Sequence, residues 1–181
     1  MKLHLGCGKR NFGSDWTHID GGNFDHLHSH DITKLPFKEG SCDLVYASHV
    51  LEYFDRQEAL EILKEWNRVL KPQGTLRIAV PDFKSMCEIY NKGEYSLDSF
   101  LGPLYGKMDM GDKKIYHKTV YDELSLSKVL SNSGFVNMRR YNWRDTEHSH
   151  IDDHSQAYLP HMDKDKGQLI SLNIECNKLK S

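Results

Sequence analysis

No stretch of this 181-residue sequence stays apolar long enough to cross a bilayer, so no membrane partner is expected. Basic charge is not in excess either. The 24 Lys and Arg face 26 Asp and Glu, and the formal net charge of −2 argues against a nucleic-acid partner held through its phosphates. Cysteine is scarce and scattered. Cys7, Cys42, Cys87 and Cys176 form no CxxC pair, which suits free thiols in a reducing, cytoplasmic setting. A chain opening directly in a strand is also expected to lack a signal peptide. No internal repeat or low-complexity linker divides the sequence, so one domain over 1–181 is expected, large enough for a single core. What the chain has in quantity is histidine, eleven in all.

The most informative stretch is Leu3-His4-Leu5-Gly6-Cys7-Gly8, followed by Trp16-Thr17-His18-Ile19-Asp20. It reads as a buried strand, a glycine turn and a second strand ending in an acid. Two glycines one residue apart let the backbone turn sharply and let a ligand lie against the main chain. An acid at the end of the neighbouring strand can accept from both hydroxyls of a ribose. A nicotinamide fingerprint fits less well, because Asn11 stands where a third glycine is needed.

Further on, Cys42–Ser48 reads as an apolar strand. Asp55 and Glu58 read as a capping box opening a helix that runs to about Leu70, with Ala59, Leu60, Leu63, Trp66 and Leu70 on one face. Strands follow at Thr75–Val80, Phe135–Tyr141 and Leu169–Cys176, with helices over Phe83–Tyr90 and Asp122–Ser133. Alternating strands and helices imply an α/β fold whose sheet is mostly parallel. The last strand is expected to be antiparallel, since no helix separates it from the one before. Residues 91–118 read as a lid-like insertion. The connections among the first strands are too short for full helices, so one sheet face is thinly covered, and a homodimer contact or a folded-over loop is expected there.

In order and spacing, these motifs resemble the class I S-adenosylmethionine-dependent methyltransferases, in particular the compact bacterial methyltransferase-domain group. The residues that carry the resemblance are Leu5-Gly6-Cys7-Gly8, Asp20, Asp31-Ile32-Thr33-Lys34-Leu35-Pro36-Phe37, Ser48-His49-Val50-Leu51-Glu52-Tyr53, Arg68-Val69-Leu70-Lys71-Pro72-Gln73-Gly74 and Ser133-Gly134-Phe135. The resemblance implies a Rossmann-like sheet with reduced N-terminal helices. S-adenosyl-L-methionine is then the cofactor and S-adenosyl-L-homocysteine the product. Gly6, Cys7 (through its backbone) and Gly8 would lie beneath the cofactor, and Asp20 would hold its ribose. Asp31 and Ile32 would face the adenine, while Ser48, His49 and Leu51 would line the methionine side. His4 would also contact the cofactor through its imidazole, although the family usually has an acid or amide there and an imidazole supplies no carboxylate to the methionine ammonium group. The stretch from Asp152 to Glu175 also looks like a subgroup associated with surface-glycan biosynthesis, that is, with polysaccharide biosynthesis.

Methyl transfer needs alignment above all, and an oxygen acceptor needs its proton removed. A histidine titrating near neutrality suits that task. His49, His117 and His150 are the candidate bases. His148, Asp153, His154 and Tyr116 are candidate acceptor contacts, with the loop 142–168 expected to overhang the acceptor pocket. A solvated loop that caps the sheet, or a loop that binds a divalent metal, are the alternatives for the histidine-rich segment, although no complete ligand set is evident. The expected reaction is O-methylation of a small polar acceptor, such as a sugar or nucleotide-sugar. N- or carboxyl-methylation, or cofactor binding without catalysis, would leave nearly the same motifs.

Overall fold

The computed structural model describes residues 1–111 and 113–180, so Asp112 of the 91–118 insertion and Ser181 lie outside the described residues. Eleven strands occur in it: β1 (Lys2–Leu5), β2 (Trp16–Ile19), β3 (Leu27–Ser29), β4 (Cys42–Ser48), β5 (Leu70–Pro81), β6 (Met108–Asp109), β7 (Lys114–Ile115), β8 (Phe135–Arg140), β9 (Tyr158–Leu159), β10 (Gln168–Leu169) and β11 (Ser171–Lys178). The α-helices are α1 (Arg56–Val69), α2 (Phe83–Asn91), α3 (Asp98–Tyr105) and α4 (Glu123–Asn132). Seven strands form one sheet in the order β3-β2-β1-β4-β5-β11-β8. β11 runs antiparallel to both neighbours, and the other pairs are parallel. The antiparallel last strand and the absence of helices before residue 50 therefore follow the expectation.

Alternation along the strands builds two different faces. Leu3 and Leu5 of β1, Val45 and Ala47 of β4, Leu76, Ile78 and Val80 of β5, and Leu172, Ile174 and Cys176 of β11 pack with α1 and α4 in the main core. The fully buried Trp66 anchors α1 there, and its indole N–H donates to the Ile32 carbonyl at 2.9 Å. Asp55 caps α1 by accepting from Gln57 and Glu58, and Glu58 accepts from the Asp55 amide in return.

The opposite face carries His4, Tyr46, Arg77, Asn173 and Glu175, among which charge and aromaticity replace aliphatic side chains. The chain covers this face itself. Phe12 is sandwiched between His4 (3.9 Å between ring centroids) and His148 (4.3 Å), beside Trp16 and Tyr46. Asp153 accepts from the Tyr46 hydroxyl, and Asn173 donates to the Ser155 carbonyl. The folded-over loop is thus the cover for the thinly clothed face.

The insertion is more ordered than its composition suggests. It contains α3 and the β6–β7 hairpin. β5 also starts earlier than its apolar run. Leu70 pairs with Cys42 and Thr75 with Leu44, so 71–74 bulge from a ladder already under way.

Candidate functional site

Strand order reverses direction between β1 and β4, and in parallel sheets a crevice opens at the carboxyl ends on either side of such a point. Gly6 and Gly8 lie there at φ +64° and +55°. Gly6 is needed for space as well as conformation, since a Cβ would lie 2.2 Å from Cγ2 of Val50. Nothing lies within 4 Å of a Cβ built on Gly8, so its outer side is open. The Asp20 carboxylate accepts from the Gly8 and Gly22 amides, both at 2.7 Å, which ties the end of β2 to the glycine turn. Burial, reinforced by the Asp20 charge, pushes the buried Cys7 thiol up to about 12, so it is no thiolate nucleophile near neutrality.

Beyond β4 the chain turns sharply. His49 takes φ +54°, and Leu51–Tyr53 form a single 3₁₀ turn. Its middle residue, Glu52, is 0% exposed, and neither carboxylate oxygen has a hydrogen-bond partner among the described residues. His49 Nδ1 lies 3.5 Å from Glu52 Oε1, and His117 Nε2 lies 3.8 Å from the same oxygen. Burial raises the Glu52 carboxyl to about 8. It lowers both imidazoles, His49 strongly, with His154 and His117 adding to the effect on His49. The His154 ring stands 5.3 Å from that of His49.

Two of the three candidate bases, His49 and His117, therefore meet at Glu52, and a different histidine, His154, stands beside His49 in place of His150. His150 is exposed and takes no part in the hydrogen bonds of this cluster, whereas His154 does approach it. The segment turns over between them, and only its last imidazole reaches the carboxyl edge of β4. Other expected positions also lie elsewhere. His4 and His148 are stacked on Phe12 against the covered sheet face, and Asp153 is taken up by Tyr46 and Ser155. Leu51 is in the main core, because the 3₁₀ turn rotates it inward. Ile32 packs against that core from its edge. Asp31 is exposed and accepts from the Thr33 hydroxyl and amide. Tyr116 is exposed beside His117. The Ser48 hydroxyl is buried without a partner, next to His49.

Glu52 stands in the motif after β4, but the sequence reading gave it no role of its own. An acid in a short turn reads as surface, but its i, i+3 relation to His49 was the available signal. Among the described residues, no group of three or more His, Cys, Asp or Glu side chains is arranged to hold a metal ion.

Two clefts flank the cluster's supporting elements. One, of about 310 Å³, is polar, and Asp82, Lys84, Ser85, Glu88, Arg140 and Ser171 are among the residues that line it. Ser171 also joins this cleft to His49, whose Nε2 lies 3.1 Å from its hydroxyl. The other, of about 210 Å³, is apolar and lies between α2 and α3, against Phe83, Met86, Tyr90, Leu97, Phe100 and Leu104.

Residues 17–78 match the family model described as "Methyltransferase domain". A demethylmenaquinone methyltransferase of Staphylococcus aureus is 31% identical over 121 residues, covering 60% of this chain and 46% of the relative. The match therefore spans about half the length of that curated relative. Solved structures align over nearly the whole chain. A SAM-dependent methyltransferase from Methanosarcina mazei superposes with a TM-score of 0.59 at 18% identity, covering 99% of this chain and 92% of that one. The 1,6-didemethyltoxoflavin-N1-methyltransferase of Burkholderia thailandensis, solved with 1,6-didemethyltoxoflavin and S-adenosylhomocysteine, does so with a TM-score of 0.56 at 14% identity, covering 99% and 71%. The fold is that of the class I methyltransferases.

Proposed function

We propose that this chain, which carries a class I S-adenosylmethionine-dependent methyltransferase domain, moves the donor's methyl group to a hydroxyl of a small polar acceptor. The observation carrying this reading is the adjacency of the open glycine turn and the His49–Glu52–His117 cluster. Val50, one residue past His49, packs directly on Gly6. A donor on the turn and a base beyond β4 would thus share one crevice.

The residues present fit the donor. Gly8 faces open space, Asp20 stands at the end of β2 to receive ribose hydroxyls, and the buried Ser48 hydroxyl lacks a partner. When bound, S-adenosylmethionine supplies an electrophilic methyl on a sulfonium that leaves as a neutral thioether. The protein's share is to align the acceptor, to exclude water and to receive a proton. Alignment supplies much of the rate in such displacements. His49 is the candidate base, and its Nε2 faces Ser171, a buried residue that lines the polar cleft. That cleft, with Lys84 and Arg140 opposing Asp82 and Glu88, suits a hydroxylated, charged acceptor such as a sugar or nucleotide-sugar. A link to glycan assembly rests on the sequence of 152–175 alone.

A second reading has its own support. The apolar cleft between α2 and α3, together with the relative named for demethylmenaquinone, favours an aromatic, lipophilic acceptor.

Calorimetric titration with S-adenosylmethionine and S-adenosylhomocysteine, with NADH as control, tests the donor. Saturable binding of both sulfur nucleosides and none of NADH is expected. Silence from both would remove the methyl-transfer reading. Acceptor screens with nucleotide-sugars and with quinols then separate the two clefts.

A further inference from the structure

We propose that Glu52 is a positioning residue whose ionisation sets the tautomer of His49, and thereby decides whether His49 Nε2 donates or accepts a proton on its side towards Ser171, a residue that lines the polar cleft. This deepens the reading above and rests on it for its role in transfer, though not for its test.

The argument starts from hydrogens. His117 Nδ1 lies 3.0 Å from the Pro103 carbonyl oxygen, which can only accept. Neutral His117 therefore carries its hydrogen on Nδ1, and its Nε2 is a bare lone pair facing Glu52. Asn173 donates from Nδ2 to the Ser155 carbonyl, which leaves its Oδ1 to accept the Ser171 hydroxyl hydrogen at 2.8 Å. With that hydrogen spent, Ser171 Oγ must accept from His49, so His49 carries its hydrogen on Nε2. Its Nδ1 is then a second bare lone pair facing the same carboxyl. Two lone pairs and an unpartnered carboxylate converge with no hydrogen between them. A proton on Glu52 relieves this conflict, and its O–H can donate to the nearer lone pair, His49 Nδ1.

In that state His49 presents N–H towards Ser171 and cannot act as a base there. When the carboxyl ionises, its proton leaves to solvent. The His49 hydrogen then moves to Nδ1, where it donates to the carboxylate, and Nε2 becomes the bare nitrogen, towards which the Ser171 hydroxyl hydrogen turns from Asn173 Oδ1. During transfer to an acceptor hydroxyl, the O–CH₃ bond forms as the S–CH₃ bond breaks. Sulfur keeps the electron pair, and the hydroxyl proton goes to Nε2. The imidazolium so formed is held by the Glu52 charge, and removal of such a partner characteristically leaves the wrong tautomer in place.

The groups facing Glu52 come from every side. His49 follows β4, and Tyr53 lies in its own turn. His117 comes from the end of the insertion, and Tyr121, whose buried hydroxyl has no partner, from the start of the α4 approach. Behind His49 stand His154 and Arg10. Among the described residues no Lys or Arg pairs with the carboxylate, and burial governs its ionisation.

The test is ¹⁵N NMR of the histidine-labelled full chain across pH 6 to 10, without acceptor or donor. His49 is expected to show a pyridine-like Nδ1 at low pH and a pyridine-like Nε2 at high pH, with His117 keeping Nδ1–H throughout. In Glu52→Gln, whose amide can donate but not ionise, His49 is expected to stay in the Nε2–H form at every pH. Glu52→Asp should restore an exchange of tautomers. A His49 tautomer independent of pH in the wild type would overturn the inference, even if Glu52→Gln failed to fold. So would a stoichiometric divalent cation in the purified protein, because it would partner the lone pairs instead. Donor binding without the tautomer exchange sinks this inference alone, and the exchange without donor binding sinks the methyl-transfer reading alone.

Discussion

A single methyl group tests the glycine turn. Gly6→Ala would place a Cβ 2.2 Å from Val50 at a positive φ. The conformational part costs about 1–2 kcal/mol and the overlap a further ~1–3 kcal/mol. Gly8→Ala meets no atom within 4 Å and carries only the first part. Gly6→Ala should therefore lower stability in urea more than Gly8→Ala, and Gly6→Ala/Val50→Ala should recover part of the difference. Gly8→Ala should instead weaken S-adenosylhomocysteine binding in calorimetry, because its Cβ would enter the space left for the ligand. Equal stability losses would contradict this division between packing and binding. At this scale the sequence revealed the turn and Asp20 but not Glu52. Spacing shows which residue types recur, whereas burial of an acid depends on what closes over it. Here that is His117, some 65 positions later.

The elements themselves rest on local chemistry. Asp55 satisfies two amides at the start of α1, so Asp55→Ala should lower the urea midpoint with the m-value unchanged. An unchanged midpoint would show that tertiary packing of α1 overrides its cap. α1, α4, β4 and most of β5 were legible because periodicity and caps agree there. α3 was not, since Gly102 and Pro103 interrupt its pattern and packing of Phe100 on Met86 and Ile89 holds it instead. The loop 142–168 was legible as a loop but not in its direction. His148 and His150 differ by two residues, yet one is buried on the sheet and the other exposed. No periodicity records which way an irregular segment turns.

For the whole molecule, buried histidines and a buried acid set opposing pH limits. Burial lowers His148 from 6.5 to about 4. The unfolded chain binds that proton first, so stability is full above 6.5 and falls as pH drops towards 4, by up to about 3 kcal/mol. His4 and His49 act in the same direction. Glu52 acts in the other. Its folded value of about 8 exceeds the ordinary 4.5, so its contribution is full below 4.5 and is lost as pH rises through about 8. Melting temperature is therefore expected to peak between these limits. His148→Phe, which preserves a ring on Phe12, should make the acid limb shallower while His4 and His49 keep the rest of it, and Glu52→Gln should do the same to the alkaline limb. Limbs unchanged by these substitutions would place the titrating groups elsewhere.

His117 reaches Glu52 only because α3 ends in Gly106, where a Cβ would collide with the imidazole at 1.8 Å, and because Pro103 offers it a carbonyl. The glycine-turn half of the crevice belongs to the sheet, whereas this histidine hangs on an inserted segment. The two halves can therefore diverge separately. Exchange of 91–118 would alter the surroundings of Glu52 while leaving the glycine turn in place, which makes that segment the natural unit for grafting.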